Sequence, residues 1–137
     1  MSTQIWALAV AGTVVLAAAG LELWRSTSAR RKVVGVRSAP AAEPYIIYFT
    51  GDGCTVCRTH QEPALARLSS VRVDKVDALA QRELADRFQV YTLPTTVVMT
   101  ADGQALHVNY GYAPAPKLES QLLEARGGGR LGNAATA

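Results

Sequence analysis

The sequence predicts an α/β domain built on a mixed four-stranded sheet and preceded by one membrane-spanning helix. Three observations predict this class: a long apolar stretch near the start, β-prone segments that alternate with helical ones, and an Ala101-Asp102-Gly103 turn typical of a hairpin. The expected order after the first helix is β-α-β-α-β-β-α. With 137 residues, the chain has room for one core of ordinary domain size and not for a second.

The apolar stretch runs from Ile5 to Trp24 and has about the 20 residues that a helix needs to cross a bilayer. Trp6 and Trp24 lie near its two ends, where indole side chains prefer the lipid headgroups. We therefore expect residues 1–24 to form a transmembrane anchor in contact with membrane lipid. Two alternatives stay open: a buried core helix, and a signal peptide cleaved at the alanines of 17–19, although its usual basic n-region is missing.

Five basic side chains follow the apolar stretch without an intervening acid: Arg25, Arg30, Arg31, Lys32 and Arg37. Such a cluster resists translocation, so the sequence predicts a single-pass cell-membrane protein whose domain faces the cytoplasm rather than outward. From residue 44 onward, basic and acidic residues cancel. A nucleic-acid binder is expected to keep a basic face on its folded part, so we expect no nucleic-acid partner.

The elements of the domain follow from runs of apolar and β-branched residues between turn residues. Residues 45–49 form a continuous apolar run, which indicates a strand buried on both faces. Residues 55–68 predict a helix that Pro63 kinks. The other predicted elements are strands at 71–76, 95–99 and 106–110, a helix at 79–88, and a last helix opened by Pro116 in which Leu118, Leu122 and Leu123 share a face.

Two segments are predicted to flank the domain, which we expect at 44–126. Residues 25–43 lack sustained periodicity and predict a basic juxtamembrane linker, in which the valines at 33, 34 and 36 are β-prone enough for a short edge strand. Residues 127–137 begin with three glycines and cannot bury enough area to order themselves. We therefore expect a disordered tail there.

Cys54 and Cys57 are the two cysteines of the chain and lie three positions apart at the start of a predicted helix. At this spacing they share a helix face, so a small adjustment closes a disulfide. The helix N-terminus favours a thiolate at Cys54, whereas Cys57 lies one turn deeper. Half of a zinc site and a purely structural pair are the alternatives, but the histidines His60 and His107 match no compact zinc-finger spacing, so we expect no metal.

The domain resembles the thioredoxin superfamily from Tyr45 to Arg126, and in particular the membrane-anchored thioredoxin-like proteins of bacteria. The features that carry the resemblance are a buried strand before Cys54-Thr55-Val56-Cys57, the Leu93-Pro94-Thr95 segment before a strand, and the Asp102-Gly103 hairpin that leads to Tyr110-Gly111. The resemblance implies a thioredoxin-like fold and dithiol–disulfide exchange without a cofactor. It also implies that Pro94 is cis beside the cysteines and that the backbone of Leu93 pairs with an extended substrate segment.

The sequence departs from thioredoxins around the cysteines. Thioredoxins have Trp before the pair and Gly-Pro within it, where this chain has Gly53 before Cys54 and Thr55-Val56 between the cysteines. The family's buried aspartate falls on Tyr48, and its helix proline lies one position later, at Pro63. The sequence therefore leaves open which group accepts the proton of Cys57.

Two side chains near the pair are candidates for adjusting its chemistry. His60, one turn beyond Cys57, is a candidate for the proton role, with a solvated or packed histidine as the alternative. Asp52 adjoins the pair and, with Thr55 and Val56, is a candidate for tuning the redox potential.

The expected function is thiol–disulfide exchange in which Cys54 attacks a substrate disulfide and Cys57 resolves the mixed disulfide. Its partners are disulfide-containing proteins and an electron donor, either a thioredoxin-reductase-like protein or a membrane carrier. The alternative is a redox-sensing or partner-binding module without general turnover.

Overall fold

The structure is a computed structural model and describes residues 2–33 and 36–134, with 128–134 as backbone only. It contains two compact units, divided between Arg31 and Lys32. The first is helical, and the second holds the sheet and the cysteine pair.

Helix α1, Ser2–Val33, is the one helix among the described residues that is long and apolar enough to cross a membrane. None of its most apolar window is buried, which contradicts the alternative of a core helix. A membrane span and a signal sequence both show this pattern. The helix continues past Trp24 into the segment predicted as a linker, because no glycine or proline interrupts residues 21–33.

The second unit has the mixed four-stranded sheet that the sequence predicted. Its strands are β1 Tyr45–Thr50, β2 Val73–Asp77, β3 Thr95–Met99 and β4 Ala105–Tyr110. They lie in the order β2-β1-β3-β4 across the sheet. Strands β1 and β2 are parallel, whereas β3 is antiparallel to both β1 and β4. The helical elements are a π-helical turn at Cys57–Gln61, α2 Glu62–Ala66, α3 Arg82–Arg87 and α4 Ala115–Ala134.

Strand β1 is buried along its whole length and contributes to both layers of the core. Ile46 and Tyr48 face one cluster with Leu118 and Leu122 of α4. The alternate side chains face a second cluster that includes Phe88, whose ring lies 5.8 Å from the ring of Phe49, centroid to centroid. Because successive strand residues point to opposite faces, β1 is the centre of a sheet covered on both sides.

Helix α3 begins at Arg82, later than the predicted residue 79. The side chain of Asp77 accepts hydrogen bonds from the backbone N–H groups of Leu79 and Ala80, at 2.8 and 3.0 Å. These local bonds hold the chain in a turn, and the helix starts only after it.

Helix α4 differs from the prediction at two places. Leu118 and Leu122 are buried as expected, but Leu123 is 64% exposed, so it does not share their face. The helix also continues to Ala134, through part of the predicted tail. Each residue added to a helix gains a backbone hydrogen bond, and a glycine costs only about 1 kcal/mol relative to alanine. Residues 135–137 of that predicted tail lie outside the described residues.

In the described residues, the segment predicted as an edge strand at 33–36 contains the end of α1 and is followed by a single β-bridge instead of forming a strand. Val33 ends α1, Val34 lies outside the described residues, and an isolated antiparallel bridge pairs Arg37 with Gln104. This segment contacts the predicted hairpin turn: Ser38 N–H donates to the carbonyl of Gly103 at 2.7 Å. Gly103 has a φ of +83°, and a Cβ there would collide with the carbonyl oxygen of Ser38.

Candidate functional site

The ends of two central strands bring the candidate site residues together. Phe49 near the end of β1 pairs with Thr95 at the start of antiparallel β3. The segment that follows β1 carries Cys54, and the residue before β3 is Pro94. The antiparallel register therefore places the cysteine loop and the proline at the same edge of the sheet.

Cys54 and Cys57 form a disulfide with their Cα atoms 5.3 Å apart. A turn through residues 51–53 follows β1 and ends where Cys54 N–H donates to the carbonyl of Gly51 at 3.1 Å. The helix begins at the next residue, Thr55, so the pair lies at its N-terminus as predicted.

The two sulfur atoms have different environments. Cys57 is fully buried in the core cluster that also holds Tyr48, whereas Cys54 is partly exposed. The backbone N–H of Cys57 donates to Sγ of Cys54 at 3.2 Å. In the reduced protein the same N–H would stabilise a thiolate at Cys54, as helix N-termini do.

The Leu93–Pro94 peptide is cis, as the resemblance implied. Pro94 is buried, and its carbonyl accepts a hydrogen bond from Gly111 N–H at 2.8 Å. Leu93 lies close to the cysteine loop. If Gly51 carried a Cβ, that atom would lie only 3.0 Å from Cδ1 of Leu93. The small residue at 51 thus lets the loop approach the segment before the proline.

A cavity of about 650 Å³ lies beside the cysteine loop and is lined by both Cys54 and Leu93. Its rim includes exposed Leu79 and Tyr91, and the ring of Tyr91 lies 4.5 Å from the ring of Tyr110. This cavity is an apolar groove with the accessible sulfur of Cys54 at its edge, and it has room for a polypeptide segment.

The other predicted tuning residues lie on the surface around the pair. Thr55 and Val56 are exposed, and Asp52 contributes its backbone carbonyl, which accepts a 2.7 Å bond from the Arg58 guanidinium. His60 is exposed: its Nδ1 lies 2.7 Å from Thr59 Oγ1, and its ring meets the ring of Tyr112 edge-on.

The sequence reasoning missed Gln61, whose side chain is fully buried. Its amide forms two hydrogen bonds with the backbone of Ala113, donating to the carbonyl at 3.0 Å and accepting from the N–H at 2.9 Å. The bonds join the π-helical turn after Cys57 to the segment that begins at Gly111. Their partners are 52 residues apart, and no local pattern reveals such a pair.

A second missed group lies between β1, β2 and the start of α2. The hydroxyl of buried Tyr48 donates to Glu62 Oε1 at 3.4 Å, and Lys75 Nζ lies 2.8 Å from the same oxygen. Burial raises the pKa of the Tyr48 phenol above its usual value of 10.0, and the hydrogen bond with Glu62 raises the pKa of Lys75. Tyr48 therefore stays neutral and Lys75 charged at physiological pH.

No group of three or more His, Cys, Asp or Glu side chains within residues 2–33 and 36–134 is placed to hold a metal ion. Both cysteines are committed to the disulfide. The arrangement instead offers reversible oxidation of a dithiol, which needs no bound group.

Comparisons with solved structures identify thioredoxins. The chain is similar to mitochondrial thioredoxin 3 of Saccharomyces cerevisiae in its oxidised form, at 27% identity and a TM-score of 0.52 over 60% of this chain and 78% of that one. A thioredoxin of Fasciola hepatica matches at 25% identity and a TM-score of 0.54, over 62% and 83% of the two chains. Thioredoxin-2 of a malaria parasite, a component of its protein secretion machinery, shares the fold at 18% identity and a TM-score of 0.56, over 65% and 96%.

The profile of the family described as "Thioredoxin-like domain" matches residues 36–126, which is more than half of the chain. This fold and the Cys54–Cys57 disulfide together support thiol–disulfide oxidoreductase chemistry in general. The chain therefore belongs to the thioredoxin-like domain family.

Proposed function

We propose that this chain is a membrane-anchored oxidoreductase that exchanges disulfides with protein substrates through Cys54 and Cys57. The observation that carries the proposal is the difference between the two sulfurs: Cys54 is partly exposed and accepts a backbone N–H, whereas Cys57 is fully buried. Only Cys54 can both meet a partner and gain from the helix N-terminus.

The reaction follows from this asymmetry. In the reduced protein, the Cys54 thiolate attacks one sulfur of a substrate disulfide, and the other substrate sulfur leaves as a thiolate that takes up a proton. Cys57 then loses its proton and attacks Cys54, which forms the Cys54–Cys57 disulfide and releases the second substrate thiolate. Once both of its thiolates are protonated, the substrate has gained two electrons and two protons. The protein has lost two electrons and the Cys57 proton, and the other proton comes from water.

The groove beside Cys54 is the proposed substrate site. Leu93 lies at its edge, where its backbone would pair with an extended segment of the substrate, and buried Pro94 keeps that edge beside the cysteines. Exposed Val56, Leu79 and Tyr91 add apolar surface around the accessible sulfur. Such contacts suit polypeptides better than a small thiol such as glutathione.

The membrane anchor is the apolar part of α1, from Ile5 to Trp24, which would contact lipid on all sides. With the basic cluster on the cytoplasmic side, the domain would receive electrons from a thioredoxin-reductase-like protein and act as a reductant. If the domain faced outward, a membrane electron carrier would take that place. A reduction potential near about −270 mV would support the reductant, and one near about −120 mV an oxidant.

The assignment of the two cysteines is tested by trapping. Cys57→Ser should accumulate mixed disulfides with substrates in cells, because nothing is left to expel them, whereas Cys54→Ser should trap almost nothing. The matched control is the double variant, which removes both thiols. Mass spectrometry of the trapped species would identify the substrates, and equal trapping by the two single variants would overturn the assignment.

General turnover separates this function from that of a redox sensor or binding module. With a chemical reductant supplied, the wild-type chain should reduce the disulfides of insulin repeatedly, and either cysteine variant should not. A wild-type protein that binds partners but turns over no insulin would support the module instead.

A further inference from the structure

The burial of Cys57 poses a chemical problem for the proposed exchange, on which this inference rests. Its side chain is 0% exposed, so its thiol has no direct contact with bulk water. The thiol must nevertheless lose a proton before the sulfur can attack Cys54, because the thiolate is the nucleophile. In thioredoxins the buried aspartate implied by the resemblance stands nearby, but here that position is Tyr48.

Tyr48 joins the buried cluster that contains Cys57 to an ionisable group. It packs in the same buried cluster as Cys57, and its hydroxyl lies 3.4 Å from Glu62 Oε1. The Glu62 side chain is 36% exposed, so this carboxylate meets both the core, through Tyr48, and the solvent. A carboxylate in that position can take a proton from inside and release it to water.

The π-helical turn explains why Glu62 lies near Cys57 along the helix. Glu62 N–H donates to the carbonyl of Cys57, five residues earlier, rather than to a residue four earlier. The wider turn brings position 62 towards the side of the helix that carries Cys57, and π turns often occur at functional sites. Pro63 follows directly and has no N–H to restore the regular pattern.

The carboxylate of Glu62 lies among other charged side chains on the surface side of Tyr48. Lys75 Nζ lies 2.8 Å from Glu62 Oε1 and forms an ion pair with it. The hydrogen bond to Glu62 raises the pKa of Lys75, so its ammonium group stays charged at physiological pH. A cavity of about 280 Å³ contains both side chains together with Asp52, Arg58 and Asp77. Three acidic and two basic side chains thus line this polar cavity beside the cysteine loop.

We propose that Glu62 is the proton acceptor for Cys57, acting through the hydroxyl of Tyr48. In the resolving step the Cys57 proton passes to Tyr48 as the Tyr48 proton passes to Glu62. The Cys57 sulfur then attacks Cys54, and the bond from Cys54 to the substrate breaks. Glu62 returns its proton to water, so Tyr48 and Glu62 end the step unchanged. Exposed His60, which contacts Thr59 and Tyr112, is not needed for this route.

The two steps can be observed separately with the reduced 137-residue chain in mild detergent and an aromatic disulfide that releases a coloured thiolate. The first release reports attack by Cys54, and the second reports resolution by Cys57. In Glu62→Gln the second release should be slower by about 10–100-fold at about pH 6. This loss should shrink as the pH rises past the usual thiol pKa of about 8.5, because a thiol that ionises more readily depends less on a proton acceptor. The first release should keep its wild-type rate at every pH.

Three further variants make the result specific. Tyr48→Phe should show the same pH-dependent loss, Glu62→Asp should recover part of the rate, and the control Glu83→Gln, an exposed glutamate in the first turn of α3, should match wild type. A second release that is unchanged in Glu62→Gln or Tyr48→Phe overturns the inference. So does equal slowing of both releases at all pH values, which indicates a structural role. If the wild type itself shows no second release, the proposed exchange function fails instead.

Discussion

At the scale of single residues, the amide of Gln61 links the cysteine helix to the loop that precedes α4. It is fully buried and bonds both backbone groups of Ala113. Two residues before Ala113, Gly111 donates to the carbonyl of Pro94. One side chain therefore connects the turn after Cys57 with the segment that holds the cis proline.

Removing this amide should destabilise the domain. In Gln61→Ala the N–H and the carbonyl of Ala113 lose their partners in a buried place, at a cost of about 1–3 kcal/mol for each unsatisfied group. We expect the free energy of unfolding in urea to fall by about 2–4 kcal/mol. Gln81→Ala, which truncates an exposed glutamine before α3, is the matched control and should change it by less than about 0.5 kcal/mol. Equal losses in the two variants would remove the structural role assigned to Gln61.

At the scale of elements, α4 covers the sheet with one face, and neighbouring leucines show where that face ends. Leu122 is 3% exposed and packs in the cluster with Ile46 and Tyr48, whereas Leu123 is 64% exposed. A step of one residue along a helix rotates the side chain by about 100°. The two leucines therefore share a helix and a residue type but not an environment.

This contrast gives a stability prediction with its own control. Leu122→Ala removes a buried side chain and should lower the free energy of unfolding by about 2–5 kcal/mol, through lost burial and the cavity left behind. Leu123→Ala should change it by less than about 0.5 kcal/mol. Chemical denaturation of both variants beside the wild type measures the difference, and a comparable loss in Leu123→Ala would contradict the orientation of α4.

The elements also show what the sequence can predict. Strands β1 and β3 were placed almost residue by residue, because strands buried on both faces need continuous apolar runs. The start of α3 was misplaced, since it depends on hydrogen bonds to one aspartate side chain, Asp77. The cysteines became site candidates through their spacing together with the segments around them. Gln61 and Glu62 did not, because their partners are distant in sequence.

At the scale of the whole molecule, the chain joins an apolar helix to a redox domain. The family profile begins at residue 36, after four of the five basic side chains that follow the apolar stretch. Most of the basic cluster thus lies between the proposed anchor and the matched domain, and Arg37 lies just inside that domain. The side of the membrane on which the domain lies would decide which reducing system reaches Cys54, and hence the direction of exchange.

The orientation of the chain is open to direct measurement. We expect green fluorescent protein fused after Ala137 to fluoresce in membranes and alkaline phosphatase fused there to be inactive, because the basic cluster after Trp24 resists translocation while residues 1–4 carry no Lys or Arg. Neutralising Arg25, Arg30, Arg31 and Lys32 while adding lysines before Ile5 should reverse both signals if charge sets the orientation. Active phosphatase on the unaltered chain would overturn the cytoplasmic assignment, and a shortened product released from membranes would indicate a cleaved signal peptide.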